Sequence, residues 1–348
     1  MSAEADDRKV ASADSAGRFF RITVPASSAN LGPGFDCLGI ALDIRDSFAV
    51  EVAGPGQPAL TIEVRGAGAP AISSGPDNLV YRAFKRVLDY LGRDCPPVRM
   101  EIDNAIPCGC GLGSSAAAIV AGACLGRALV QALEAEEAPA ANEAAAAASP
   151  SGSLTKKSLD DETLVALATG IEGHPDNVAA AFHGGLTIST SAPYGGVFVR
   201  RCQAATSFGA VVAVPDFAFS TDEARSLLPS SVSMTDAVFN IGRTATLVAG
   251  LLLGDARAVR QGMADRLHQP YRAKAFAYLS GVIEAAIAAG AAGAALSGAG
   301  PSVLAIVETG GGDDGGKVGR AMVEAFGRAG HQAVAYVSGI AERGVVFE

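Results

Sequence analysis

The chain has 348 residues, with 27 Lys and Arg against 36 Asp and Glu, a formal net charge of −9, 42 glycines and six cysteines. A chain of this mass buries roughly three quarters of its extended surface on folding, which excludes a peptide hormone, a disulfide-stapled module and a disordered tail. No dense Lys/Arg run with interleaved aromatics accompanies the acidic balance, so nucleic acid is excluded as a partner, and only a local basic pocket for a phosphorylated small molecule remains open.

Cys108 and Cys110 are close, spaced C-x-C between glycines, while Cys37, Cys95, Cys124 and Cys202 are dispersed and the four histidines scattered. A closed zinc site needs two further soft ligands in register, so the cysteines read as reduced, small apolar side chains of a cytoplasmic protein. Residues 1–17 are polar, carry no apolar stretch of a signal peptide, and are expected to form a disordered tail. Charge, Gly or Pro interrupts every apolar run before about 18 strongly apolar residues accumulate, so no membrane span is expected.

Order is expected to begin near Arg18. Residues 19–24 (FFRITV), 47–52 (SFAVEV) and 60–64 (LTIEV) are short β-prone runs. Between the first two lies PASSANLGPGFDCLGIALDI, whose prolines and glycines predict that its first half is loop. PDNLVYRAFKRVLDYLG sets Leu79, Ala83, Val87 and Leu91 on one stripe of a helix, with Asp77 as cap and Gly92 as stop. VRMEI (98–102) is a strand. PCGCGLGSSAAAIVAGACLGRALVQAL then runs from a glycine turn into an almost uncharged helix over 114–133, apolar nearly all round and so central to its domain.

Residues 134–157 turn to Ala, Glu, Ser and Pro and are expected to be a mobile surface insertion with an alanine-driven helical piece. A helix over 160–170 leads into IEGHPDNVAAAFHGG and the strand LTIST (186–190). VFVR and GAVVAVP are strands, with the domain boundary between them, giving an N-terminal unit 18–204 and a C-terminal unit 205–348. In the second unit, DAVFNIGRTATLVAGLLLG shows a helical stripe of Val238, Ile241, Ala245, Val248 and Leu252. DARAVRQGM, AYLSGVIEAAIAAG and 318–327 are helical, LSGAGPS is a turn, and VLAIV and AVAYV are strands. The mixture predicts two α+β domains rather than one doubly wound sheet.

Four segments could carry chemistry. Gly109, Gly111 and Gly113 let the backbone turn sharply before a helix that Ser114 and Ser115 can cap. Such a nest of N–H groups at a helix start cradles phosphate, although a plain tight turn with a serine cap would read the same. It is not a Walker A loop, because no Lys-Ser/Thr pair follows the glycines. SSANLGPGFD offers Asn30 and Asp36 in a stiffened loop, suited to an ammonium group or, more simply, a Gly-Pro turn with a surface aspartate. EGHPDN brings Glu172, His174, Asp176 and Asn177. A carboxylate beside a phosphate cradle suits Mg²⁺, whereas zinc lacks a third ligand. His183 and His331 read as structural. Thr221 and Arg225 in FSTDEARSLLP, and Arg272 in HQPYRAK, offer forked donors for a carboxylate, or ordinary surface charge. The LSGAGPS turn either packs against the first cradle or merely reverses the chain.

Taken together, PASSANLGPGFDCLGIAL, PCGCGLGSSAAA, EGHPDNVAAAFHGG, FSTDEARSLLP and SGAGPSVLAI resemble the GHMP superfamily of small-molecule kinases, and specifically its homoserine kinase family, over residues 18–345. Ala180 and His183 fall where that family usually has Pro and Leu. The resemblance implies an α+β fold with an N-terminal domain like ribosomal protein S5 domain 2 and a ferredoxin-like C-terminal domain. It implies ATP and L-homoserine as substrates, Mg²⁺ as cofactor, and a step preceding threonine synthase in threonine biosynthesis. It assigns Asn78, Pro107, Gly109, Gly111, Leu112, Gly113, Ser114 and Ser115 to the nucleotide, and Ser115 and Glu172 to the metal. Asn30, Asp36, His174, Asn177, Arg225 and Arg272 would bind the amino acid, and Glu172, Asn177, Thr221 and Arg225 would serve catalysis. No general base stands out, since the position nearest to the aspartate of other superfamily members is the amide Asn177. A homodimer is the default oligomer for a soluble chain.

Overall fold

A computed structural model describes residues 17–145, 158–192, 196–310 and 314–348. The N-terminal tail 1–16 and the second half of the alanine-rich insertion therefore lie outside the described residues. The first domain is built on strands β1 (Phe19–Asn30), β2 (Gly34–Val52), β3 (Leu60–Gly66), β4 (Val98–Asn104), β5 (Leu186–Ser191) and β6 (Val197–Cys202). β1, β2 and β4 are antiparallel neighbours, β3 lies parallel to β4 at the edge, and β5 with β6 continues from the far part of β2.

The segment expected to open as a loop is instead the tip of the long β1–β2 hairpin. Ala26–Asn30 is buried, and buried backbone N–H and C=O groups need partners, so the ladder runs on through it. Pro25, which has no N–H to give, falls at a register shift between Pro25 and Ala26. A second shift follows: Ala29 pairs with Gly39 but Asn30 with Gly34, so residues 35–38 are thrown out of that pairing. This excursion carries Asp36.

Helix α1 (Leu79–Leu91) starts from Asn78, not from Asp77: the Asn78 side-chain oxygen accepts from the N–H of Val80 at 2.9 Å, and Gly92 ends the helix at φ 68°. Its buried face is Val80, Ala83, Phe84, Val87 and Leu88. α2 (Ser114–Ala145) outruns the predicted end by twelve residues, carried by alanine's helix preference into the insertion. It is the central helix of the domain, with Ala116, Ala117, Ile119, Val120, Leu125, Leu129 and Val130 among its buried residues. α3 (Asp161–Glu172) and the short α4 (Asp176–His183), which periodicity had not marked, pack against it.

In the second domain β7 (Phe208–Pro215), β8 (Gly293–Leu296), β9 (Val303–Glu308) and β10 (Ala333–Ser338) form an antiparallel sheet in the order β10-β7-β9-β8. α9 (Leu279–Ala288) and α10 (Asp314–Arg328) cover one face, which Val211 and Ala213 point into. The alternate residues Ala210, Val212 and Val214 join a core with Leu247, Leu251, Val259 and Met263, from α6 (Met234–Leu253), α7 (Ala256–Gly262) and the turn after it, and that core continues into the first domain. Two short helices, α5 (Thr221–Ser226) and α8 (Gln269–Arg272), sit between the domains.

The apolar stripe on α6 points mostly outward: Val238 is 61% exposed and Ile241 69%, while Asn240, Leu247, Gly250 and Leu251 are buried. Periodicity reports that a helix has an apolar face without saying where that face points. The C-terminal residues, drawn with the second unit, return to the first: β11 (Val346–Phe347) pairs with Ile22 and Thr23 of β1, and Ile340 bridges to Leu42.

Candidate active site

Loop 107–113 meets α2 at the base of a cleft between the domains. Gly109, Gly111 and Gly113 all have positive φ (66°, 77° and 68°), so the loop alternates in handedness and turns successive N–H groups inward. A Cβ on Gly111 would collide with the Ser297 carbonyl, and one on Gly113 with Ser27 Oγ. The first turn of α2 adds N–H groups that have no acceptor within the helix. The LSGAGPS turn packs against this cradle: Ser297 Oγ donates to the Gly111 carbonyl at 2.6 Å, and Gly298 N–H donates to Ala29 O.

The loop separates two cavities. On one side lies an apolar cavity of about 320 Å³ between Phe48, Ile72, Asn78, Val80, Ile102 and Cys108. Asn78 reaches it, but its amide is spent on capping α1 and donating to Ser73 O at 2.6 Å. Pro107 lines neither cavity, because it stands before the turn, and Leu112 faces the core at 1% exposure, contributing to the cleft through its backbone. On the other side is a polar cleft of about 130 Å³, shared by the loop, the β1–β2 tip, residues 172–177, α5, Arg272 and the 298–300 turn.

Every residue expected to bind the amino acid lines this polar cleft, although their positions span more than 240 residues of chain. Asn30 and Asp36 adopt left-handed backbone conformations (φ 70° and 54°), which Asn and Asp tolerate better than most residues. Asn30 Nδ2 donates to Gly298 O at 2.9 Å, and its Oδ1 accepts the Asp36 N–H at 3.0 Å. Arg225 grips Asp36 through two parallel bonds of 2.7 and 3.1 Å. Burial pulls the Arg225 pKa down, but the Asp36 pair and neighbouring carboxylates outweigh it and leave the pKa raised. Both partners remain about one third exposed, so the pair is worth little and opens readily.

Arg272 is only 2% exposed. It donates to Gly298 O at 3.0 Å and to His268 Nδ1 at 3.2 Å. Burial, and then the charge of Arg225, bring its pKa down to about 10, so it stays a cation at neutral pH. A guanidinium only donates, so His268 Nδ1 accepts and its Nε2–H donates to Gly32 O at 2.7 Å. His268 is thus neutral, and burial and the nearby Arg272 lower its pKa. The side chain of Asp265, itself fully buried, accepts from Asn240 and from the N–H groups of Leu267, His268 and Gln269. Phe35 stacks on His268 at 5.2 Å with the Arg225 and Arg272 guanidinium groups 5.6 and 5.4 Å from its ring centroid. His268, Asp265 and Phe35 escaped the sequence reading. The spacing HQPYR, which puts His268 one helical turn before Arg272, was the available signal.

Residues 172–177 close the cleft. His174 Nδ1 lies 2.7 Å from Asp176 Oδ1, and the same oxygen accepts the Asn177 N–H. Burial would lower the His174 pKa, but the Asp176 bond and the charges of Asp176 and Glu172 raise it. Asn177 Oδ1 accepts from Ser27 Oγ at 3.0 Å. Glu172, the last residue of α3, accepts from Ser115 Oγ at 2.6 Å, and burial raises its pKa. Thr221 opens α5 behind a capping box of Ser220 and Glu223, and lines the cleft.

Among the described residues no three His, Cys, Asp or Glu side chains converge on one metal position. A single half-buried carboxylate with a neighbouring hydroxyl at a glycine-rich helix start nonetheless fits Mg²⁺, which takes one or two protein oxygens and completes its shell with phosphate and water. All six cysteines are free thiols, with Cys108 Sγ 3.5 Å from Ser114 Oγ beside the apolar cavity.

Residues 78–152 match the GHMP kinases N terminal domain, and residues 247–328 match the GHMP kinases C terminal domain. A homoserine kinase of Synechococcus sp. (strain CC9605) is 40% identical over 309 residues, covering 89% of both chains. The chain belongs to the homoserine kinase family. It is an enzyme of that class, with the two-domain α+β fold of GHMP kinases. A homoserine kinase of Desulfitobacterium hafniense is 38% identical over 324 residues, 93% of this chain and 98% of the relative. The solved homoserine kinase of Cytophaga hutchinsonii superposes with a TM-score of 0.78 at 27% identity, covering 95% of this chain and 97% of that one.

Proposed function

We propose that the chain transfers the γ-phosphoryl group of ATP to the side-chain hydroxyl of L-homoserine, as a cytoplasmic enzyme supplying O-phospho-L-homoserine for threonine biosynthesis. The observation that carries this reading is the order of parts across one cleft: an apolar cavity, a nest of N–H groups, then Asp36 facing Arg225 and Arg272. Adenine would occupy the apolar cavity, the phosphates the loop 109–115, and the amino acid the polar end. Asp36 would take the ammonium group, and Arg225 and Arg272 the carboxylate. In the free protein Arg225 stands in for the ammonium and Asp36 for the carboxylate, so the ligand exchanges one weak pair for two.

The hydroxyl oxygen would attack the γ-phosphorus in line with the departing β–γ bridging oxygen. ADP leaves, and the hydroxyl proton passes to an oxygen of the transferred group. No side chain need act as base. Asp36 is held by Arg225, Asp176 by His174 and the Asn177 N–H, and Glu172 by Ser115, while position 177 is an amide. A loose phosphoryl-transfer transition state asks chiefly for alignment and charge neutralisation. Thr221 and Asn177 would orient the hydroxyl, and His174 would present Nε2 to the cleft. Ser115 and Glu172 would hold Mg²⁺, which supplies charge neutralisation on the phosphates.

ADP release with Mg-ATP across L-homoserine, D-homoserine, L-serine, L-threonine, mevalonate and galactose tests the reading. Turnover on L-homoserine alone is expected. A protein that binds ATP yet turns over none of them, or prefers mevalonate or galactose, overturns it. A phosphorylated protein trapped by rapid quench would overturn direct transfer.

A further inference from the structure

Arg272 is held on three sides by the protein itself. Its Nη1 donates to Gly298 O at 3.0 Å and to His268 Nδ1 at 3.2 Å, and its Nε–H points to Ala224 O at 3.5 Å. No described residue supplies an acceptor to Nη2, and Arg272 lines the polar cleft, so Nη2 is the edge turned toward a ligand. A guanidinium is planar, so holding Nη1 and Nε fixes where Nη2 points. Two of the three holds are carbonyls, which always accept. An imidazole accepts at Nδ1 only when its proton sits on Nε2, and the Gly32 carbonyl, 2.7 Å from Nε2, selects that tautomer. Phe35 stacks on the ring at 5.2 Å, and the His268 N–H is anchored on Asp265 at 3.1 Å. The ring is fully buried and does not line the cleft, so its bonds serve other protein groups.

We propose that His268 is a positioning residue for the amino-acid end: it fixes the rotation of Arg272 and ties it, through Gly32, to the hairpin tip that carries Asp36. The proposal rests on the reading of Asp36 as the ammonium site and Arg272 as the carboxylate site. Those two groups come from β2 and α8, and one ring spans the gap, with Nδ1 on the arginine and Nε2 on the hairpin. The hairpin side of this bridge is itself braced. Asn240 Nδ2 donates to both Pro33 O and Asp265 Oδ1, and Thr244 Oγ1 donates to Pro33 O. Phe35, on the same hairpin, also faces the Arg272 guanidinium, 5.4 Å from its ring centroid. A buried network with its partners satisfied is rigid, so the ring sets the distance between the two charges that recognise an α-amino acid. Its contribution therefore falls on ligands that carry a carboxylate, and on their binding more than on phosphoryl transfer.

The two bonds of the ring are separated by His268→Asn and His268→Gln. The shorter amide puts an oxygen where Nδ1 stands and gives up the donor to Gly32. The longer one puts its amide where Nε2 stands and withdraws the acceptor from Arg272. ADP release is measured with L-homoserine and with 3-aminopropanol, the same alcohol without the carboxylate. His268→Gln is expected to raise the KM for L-homoserine at least tenfold, with kcat within threefold of the wild type and kcat/KM for the amino alcohol unchanged. His268→Asn is expected to hold the L-homoserine KM within threefold although it melts lower than the wild type. A purely structural histidine would instead make KM follow melting temperature and affect both substrates alike. Equal losses on the two substrates, an unchanged KM in His268→Gln, or a His268→Asn variant as impaired as His268→Gln overturns the proposal. Should His268→Gln fail to fold, a tenfold rise in the KM of folded His268→Asn overturns it as well. In each of these cases wild-type turnover on L-homoserine leaves the proposed activity standing, whereas a wild type inactive on L-homoserine overturns both.

Discussion

The two ends of the cleft are made of different material. The end proposed for the phosphates is backbone: three glycines in left-handed conformations and the opening turn of a helix, with neighbours packed where any Cβ would go. The end proposed for the amino acid is side chains already engaged within the cleft, as Asp36 is with Arg225 and Asn30 with the Gly298 carbonyl. A backbone site is rigid and fails outright when its geometry is filled. A side-chain site exchanges partners and fails by degrees.

The harshest test of that contrast is Gly113→Ala. The added methyl group meets Ser27 Oγ and lies 3.2 Å from Asn177 Oδ1, so turnover is expected to fall about 100- to 1,000-fold, measured as ADP release at saturating substrates. A loss under tenfold would mean that the loop yields. Glu172→Gln is expected to lower kcat about 100-fold and leave the amino-acid KM nearly unchanged, since in the proposed reading it holds the cation at the phosphates. At the other end, Arg225→Gln is expected to raise the amino-acid KM roughly 10- to 100-fold, consistent with loss of a charge-assisted pair, at an unaltered melting temperature. Arg272→Ala should raise KM as well, but its burial adds a second cost. The variant leaves His268 Nδ1 without its donor, at about 1–3 kcal/mol, so its melting temperature should drop where that of the Arg225 variant does not. Calorimetry showing equal homoserine binding by wild type and either arginine variant would break the comparison.

The smallest effect concerns Asp46, which anchors the approach to the loop by accepting the N–H groups of Ala105 and Ile106 at 2.7 and 2.8 Å. Burial raises its pKa to about 6 from 3.8, against the opposing pull of those two bonds. The folded state therefore holds this proton more tightly than the unfolded chain. Stability from this group is greatest below pH 3.8 and is lost as pH rises toward 6. Asp46→Asn is expected to melt higher than wild type at pH 8, by up to about 3 kcal/mol in stability, and to lose most of that advantage at pH 4. Equal differences at both pH values would exclude the mechanism.

What could be read in the sequence divides along the same line. Glycines announce a sharp turn locally, and the PCGCGLGSS segment was legible by itself as a turn into a helix. The pairings of the amino-acid end join residues as far apart as Asp36 and Arg225, or Asn30 and Gly298, and no spacing displays them. His268 was hidden because its role lies in a neutral ring between Arg272 and Gly32, a matter of geometry. The hairpin tip read as a loop because Pro25 and the glycines at 32 and 34 look like breakers, whereas register shifts accommodate them inside a buried ladder. α6 was legible as an amphipathic helix, but not in its orientation, since an outward apolar face has the same period as one built for the core.

The return of the C-terminus has a consequence for the order of assembly. Ala341 exchanges backbone bonds with Ala41 and Gly185, Val345 bonds to Phe182, and Val346–Phe347 covers the outer edge of β1. During synthesis that edge stays bare until the whole second domain has left the ribosome, so the first sheet cannot be completed in the order in which it is made. A fragment ending near residue 204 would expose β1 as an open edge strand and should associate through it. The last few residues thus act as the closing stitch of the first domain, and the nascent chain is most vulnerable just before they arrive.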